Sequence, residues 1–270
     1  MIAVPYHLGR RDVEVGRGPT VICKVGQAVL PASRPSGRLV FVDYEESRQE
    51  SRLAGKTAGP TSELDGIAAV NTQLARAVSA HPGPPIILAG LSRDDLGIVW
   101  FDAHGDFNTP ETSISGSIEG MSLAIATGSC HGELRERIGL ARPVPEANVL
   151  LVATRNLDPK ESVRLERSAV SLIGLETLPA ALEALASRAR AVYLHLDIDV
   201  LDPSISPGVN FSTPGGIAPE QLYQAIRTVA AVIPIAAATI ANFNPDRDRE
   251  DRTLRIAEKL VAILGEVSLS

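Results

Sequence analysis

The chain reads as an α/β protein, a single domain over residues 1–270 with a mostly parallel sheet covered by helices. Two observations predict it. Short β-branched, apolar runs of strand length recur along the sequence, and Ala- and Leu-rich segments with helical spacing stand between them, the alternation expected of a covered parallel sheet. At 270 residues and 44% hydrophobic composition the chain can bury one large core, which excludes a disordered or fibrous protein.

In order, the strand candidates are residues 2–5, 39–42, 85–88, 97–102, 148–153, 169–173, 191–197 and 235–240. Most are apolar on both faces, as strands of a buried parallel sheet are. Leu64, Ile67, Ala68, Leu74, Ala75 and Val78 repeat at helical spacing, as do Leu254, Ala257, Val261 and Leu264 near the end. The Gly-, Pro- and Ser-containing stretches at 55–62 and 81–85 run straight into periodic or apolar segments and read as loops, not linkers. Residues 203–216 are rich in Gly and Pro, carry no periodicity and are long for a connection, which marks a functional loop at a strand end.

Acidic residues outnumber basic ones 32 to 26, for a formal charge of −6, which argues against nucleic acid or an anionic membrane as the main partner. Cys23 and Cys130 stand far apart with no CxxC motif, so no disulfide framework or structural zinc site is expected. A reducing, cytoplasmic setting fits. No signal peptide is recognisable, and no run approaches the ~18 apolar residues of a spanning helix.

The densest chemistry lies in IVWFDAHGDFN, where Asp102, His104 and Asp106 alternate with Ala103 and Gly105 after an apolar strand. On an extended backbone alternate side chains share a face, here at the carboxyl edge where α/β proteins bind ligands. LHLDIDVLDP repeats the arrangement with Asp197 and Asp199. Crowded carboxylates repel and call for protons or a metal; oxygen donors with one imidazole suit Mn²⁺ or a similar hard ion. Two such ions would lower the pKa of a shared water and make hydrolysis the natural reaction. The alternative is that Asp102 and Asp199 merely cap turns.

DAHGDFNTPETSISG and LDIDVLDP, with VPYHLG and GRGP near the start and NFNP near the end, resemble the arginase/agmatinase (ureohydrolase) family. The resemblance implies a three-layer α/β sandwich with a mostly parallel sheet of about eight strands. It also implies a binuclear Mn²⁺ centre, attack of a metal-bridging hydroxide on a guanidinium carbon with release of urea, and a homo-oligomer, commonly a trimer or hexamer. By the same resemblance Asp102 and Asp197 bridge the ions, His104 and Asp199 complete one shell, and Asp106 binds the other ion. Asn108, Ser113 and Ser115 resemble positions that hold an amino acid's carboxylate and α-amino groups, and Asn156, Asp158 and Glu161 resemble a second polar wall. These matches favour an amino-acid substrate over a decarboxylated amine, with a polar Ser/Thr-rich turn network as an equal alternative.

Three departures from the family pattern stand out. The family carries a metal-binding residue after the strand at 85–88, whereas this chain reads ILAGLSRDDLGIVW without one. Only about eight residues then separate two strands that, if parallel, need a crossover of a dozen or more. Either the connecting helix is deleted, or the two strands are not both members of the parallel sheet, or the sequence omits a segment; one ion or two are therefore open. Glu119 stands where the family keeps a proton-transferring His; a carboxylate of raised pKa can serve, it can bind metal, or it is a solvated loop residue. Asn242 replaces a Glu that pairs with the substrate guanidinium, a loss of about 2–4 kcal/mol where the pair is desolvated, so arginine itself is a doubtful substrate.

His195 shares a face with Asp197 and Asp199 but sits ~6.6 Å deeper than Asp197 along its strand, and is read as a packed core histidine, with a ligand role as the alternative. His7, His81 and His131 lie outside both clusters; His7 follows a strand end and stays a candidate for the pocket rim. The reading is a Mn²⁺-dependent hydrolase of a C–N bond in a guanidino or amidino amino-acid derivative, with Glu119, Asp102 and Asp197 in the chemistry. Asn108, Ser113, Ser115, Asp158 and Asn242 would hold the substrate. The alternative is a weak or inactive relative that keeps the fold and part of its metal.

Overall fold

The computed structural model describes residues 95–137 and 142–267, and the backbone of four two-residue strands: β1 (Ile2–Ala3), β2 (Tyr6–His7), β3 (Arg10–Arg11) and β4 (Val40–Phe41). Here β1 pairs parallel with β4 and β2 antiparallel with β3. The strand expected at 85–88, the helix at 64–78, and the departure at 89–94 lie outside the described residues, as do Cys23 and His81.

Among the described residues the main sheet is parallel throughout and runs β7-β6-β5-β8-β9. Its strands are β5 (Leu96–Phe101), β6 (Val149–Val152), β7 (Ser171–Ile173), β8 (Ala191–Asp197) and β9 (Ile235–Ala241). Every residue of β5 is buried, as the continuous apolar run LGIVWF requires of a strand covered on both faces. The helices are α1 (Ser122–Ala126), α2 (Gly132–Arg137), α3 (Pro159–Glu166), α4 (Leu178–Ala186), α5 (Pro219–Val232) and α6 (Arg252–Val267). These elements build the α/β architecture with a covered parallel sheet expected from the sequence, with five of the roughly eight expected strands paired among the described residues.

The two-residue period of the strands divides the core. Val99 and Phe101, Leu150 and Val152, and Val192, Leu194 and Leu196 pack with α4, α5 and α6 on one face. Ile98 and Trp100, Val149 and Leu151 meet Phe107, Leu123 and Leu165 on the other, with Tyr193 beside them. Each long helix presents one apolar stripe: α5 buries Leu222, Ala225, Ile226 and Val229, and α6 buries Ile256, Ala257, Leu260 and Ile263. Pro219 and Pro159 open α5 and α3, where a missing N–H costs nothing.

Strand order places the site. From β5 the chain steps to β6 and β7 on one side, then crosses back so that β8 lies on the other side of β5. That reversal between β5 and β8 is where open α/β sheets leave a crevice at their carboxyl ends. Phe101 lies opposite Leu196 and Asp197 opposite Ala241, so Asp102, Asp197 and Asn242 line up along one edge.

Candidate metal centre

Asp102 leaves β5 with its side chain on the Trp100 face, and Trp100 Nε1 donates to its Oδ2 at 3.0 Å. Oδ1 accepts the His104 N–H at 2.7 Å. From β8, Asp197 Oδ1 accepts the Asp199 N–H at 2.8 Å, and Asp199 Oδ1 accepts the Ala103 N–H at 3.1 Å. The carboxylates are thus aimed by backbone donors of neighbouring strand ends, and their free oxygens converge. His104 Nδ1 stands 3.1 Å from Asp199 Oδ2 and 3.4 Å from Asp102 Oδ1.

Two groups of donor atoms result, each within 4.8 Å: Asp102, His104 and Asp199, and Asp102, His195 and Asp197. Asp102 belongs to both. Donors on opposite sides of an ion with bonds of ~2.1 Å stand ~4.2 Å apart, so each group fits around one cation.

The electrostatics ask for positive charge. Burial lifts Asp102 to about 6, against its hydrogen bonds from His104. Burial and the neighbouring Asp199 push Asp197 well above the usual carboxylate range, and burial and Asp102 do the same to Asp106. His104 pays the opposite way: burial disfavours its cation, but hydrogen bonds to Asp102 and Asp199 prevail and carry it up to about 10. Burial resists ionisation of Asp199, yet the His104 hydrogen bond holds it below its ordinary value. Without a metal, one imidazolium is shared among carboxylates that cannot all ionise.

Asp106 takes a left-handed φ of 48° and joins neither donor group, yet it lies near enough to Asp102, His104 and Asp199 to feel their charges. Gly105 is required just before it, because a Cβ there would lie 2.5 Å from Glu161 Oε1. Asn242 also adopts a left-handed φ, 65°, which Asn tolerates. Its amide donates to Asp197 Oδ1 at 3.0 Å and to Asp199 Oδ2 at 2.9 Å, while its Oδ1 accepts the Asn210 N–H at 3.2 Å.

The candidate substrate residues divide. Asn108 is buried, donating to Asp158 Oδ2 at 3.2 Å and accepting from Thr112 Oγ1 at 2.8 Å. Ser113 is half-buried and Ser115 exposed, and they accept the N–H groups of Gly116 and Ser117. Asp158 Oδ2 also accepts the Ile114 N–H, and Asn156 Nδ2 donates to Thr213 Oγ1. Glu161, expected on a polar wall, is instead buried under the loop, accepting the N–H groups of Phe107 at 2.8 Å and Asp158 at 3.2 Å. Glu119 is half-buried at the start of a short 3₁₀ turn, Glu119–Met121, whose Gly120 carbonyl accepts the Asn108 N–H.

His195 is where the sequence reading is half right. It is buried in the core, 9% exposed, stacked on Trp100 with ring centroids 3.6 Å apart, and burial brings its pKa down to about 3. Yet a ring nitrogen reaches the Asp102–Asp197 pair, because the imidazole spans much of the step between alternate strand positions. Sequence reasoning missed Arg155. Its guanidinium donates to the carbonyls of Asp199, Val200, Thr213 and Pro214, tying loop 203–216 to the turn after β8. Nothing in RNLDP marks that role, since its partners are backbone atoms remote in sequence. Trp100 carried a signal: two positions before Asp102, on the same face.

The model of the arginase family matches residues 70–265. The arginase of Bacillus caldovelox is 32% identical over an alignment covering 99% of this chain and 96% of that protein. The arginase of Bacillus subtilis (strain 168) is 35% identical over 66% of this chain, which spans 64% of that relative. The solved arginase structure from Bacillus caldovelox superposes with a TM-score of 0.76 at 25% identity, covering 100% of this chain and 97% of that one.

Proposed function

Because the chain belongs to the arginase family, a family of hydrolases, we propose that it is a Mn²⁺-dependent enzyme cleaving a non-peptide C–N bond in a guanidino or amidino amino-acid derivative. The observation that carries this reading is the pair of donor groups sharing Asp102 at the carboxyl ends of β5 and β8. Asp102, His104 and Asp199 would hold one ion; Asp102 and Asp197, with Asp106 beside them, the other. The buried, mutually repelling carboxylates fit a divalent cation, which would replace the protons they otherwise retain. When bound, such ions make water acidic enough for hydrolysis near neutral pH.

The chain's own groups supply the rest. Asn242 holds Asp197 and Asp199 in register. With an amide in place of a carboxylate at that point, a full guanidinium loses an ionic partner, which favours a substrate less cationic there than arginine. Glu119 is the proton carrier toward the departing amine. Asn108, Ser113, Ser115 and Asp158 bound the side on which an amino acid's polar head would lie, the first and last fixed to each other. The enzyme is read as cytoplasmic and homo-oligomeric; among the described residues no helix is long and apolar enough to cross a membrane.

The test is turnover by the Mn²⁺-loaded protein of arginine, agmatine, N-hydroxyarginine, guanidinobutyrate and formiminoglutamate. Hydrolysis of at least one, with arginine not the best, is expected. Silence across the panel by a metal-loaded sample overturns the reading.

A further inference from the structure

We infer that His195 is a metal ligand: with Asp102 and Asp197 it forms the second cation position, so its ring does more than pack. The inference rests on the metal-dependent reading above and assigns the imidazole of that position.

Three observations carry it. A ring nitrogen of His195 and one oxygen each of Asp102 and Asp197 lie within 4.8 Å of one another, close to the ~4.2 Å between donors on opposite sides of a single ion. The ring is also held in place. Trp100 stacks on it at an interplanar angle of 12° while donating its own N–H to Asp102, so one indole aligns two members of the group. Lastly, the tautomer is set from behind. The Tyr193 hydroxyl donates to Thr239 Oγ1 at 2.8 Å, and having spent its proton it can only accept from His195 Nδ1, 3.4 Å away. The lone pair is then left on Nε2, which has no hydrogen-bond partner among the described residues. A hydroxyl that fixes one ring nitrogen as donor and leaves the other as a ligand is how metal-binding imidazoles are commonly oriented. A histidine buried for packing alone has no need of a face set against two carboxylates.

Two measurements test it. Metal analysis after equilibrium dialysis against Mn²⁺ should find about two ions per chain in the wild type and about one in His195→Phe, which keeps an aromatic ring on Trp100. Equal loading of the two proteins overturns the inference. Because the variant can fail to fold, the wild type labelled with ¹⁵N-histidine is also titrated with Cd²⁺: the ring resonances of two imidazoles, His104 and His195, should move. Movement of His104 alone overturns the inference. A failed functional reading would instead show as metal-loaded wild type without turnover, whatever these two measurements give.

Discussion

The strand-end cluster and loop 107–117 lie side by side yet are built on opposite plans. At the strand ends the hydrogen bonds join residues far apart in sequence, Ala103 to Asp199 and Asn242 to Asp197; Ala103 and Asp199 are buried, Asp197 and Asn242 half-buried. In the loop most bonds close within four residues, Thr112 to Asn108 and Gly116 to Ser113, and the tip is in solvent, with Ile114 76% exposed. Asp158 ties Asn108 and Ile114 across to α3, while Glu161 and Arg164 hold Phe107 at the loop's start. The difference teaches where each property resides: the chemistry is fixed by sheet register, whereas recognition rests on a short local network that can change without disturbing the sheet.

Asp197→Ala tests the contrast most severely. It should abolish Mn²⁺ binding and lower turnover by at least ~100-fold, since even partners outside the ligand set cost 10–100-fold. The same change should shift the melting temperature of the metal-free protein only modestly, because relief of the burial and Asp199 repulsion that Asp197 bears offsets the hydrogen bonds it accepts from Asp199 and Asn242. A variant that still binds Mn²⁺ would break the comparison from the cluster's side.

A smaller effect follows from pH. The folded pKa of His104, about 10, lies above its ordinary value, so its contribution to stability is complete below pH ~6.5 and is lost as pH rises through ~10. Asp106 and Asp197 act in the same sense, since the folded state holds protons that the unfolded state releases. His195, held down at about 3, opposes only below pH ~6.5. Metal-free protein should therefore melt progressively lower between pH ~6.5 and ~10, by ~2–4 °C for each kcal/mol lost, and Mn²⁺ should flatten the slope. Thermal melts in chelator and in Mn²⁺ check this; a slope that Mn²⁺ leaves unchanged would separate the charge cluster from the metal.

The loop should answer more gently. Asp158→Ala releases Asn108 and the Ile114 N–H and should raise KM about tenfold at unchanged metal loading, at a stability cost of about 1–2 kcal/mol. Ser115→Ala, on an exposed turn, should shift stability by less than ~0.5 kcal/mol. Loss of bound Mn²⁺ in Asp158→Ala would show that the two regions are not separable.

What the sequence disclosed follows the same divide. Strand β8 begins and ends where the apolar run 191–197 predicts, and α6 forms as its period predicts, burying Ala257 while Leu254, Val261 and Leu264 pack half-buried beside it, because period and composition are local signals. Asp102, His104 and Asp199 converge as two DxD-like strand ends suggest. Asp106 is less legible, since its left-handed φ breaks the two-residue period on which the expectation was built. Arg155 and the buried role of Glu161 were equally hidden: both act on backbone groups brought near only by the finished fold. His195 needed the depth of the sheet, which a one-dimensional pattern does not carry.

The indole of Trp100 has one more consequence. The chain contains a single tryptophan, and it lies with its N–H on Asp102 and its face on His195. Light absorbed to the red of tyrosine therefore excites one chromophore, and that chromophore touches the centre. Filling or emptying the site changes the charge at both ends of this ring, so emission colour and yield become an optical gauge of occupancy that needs no label.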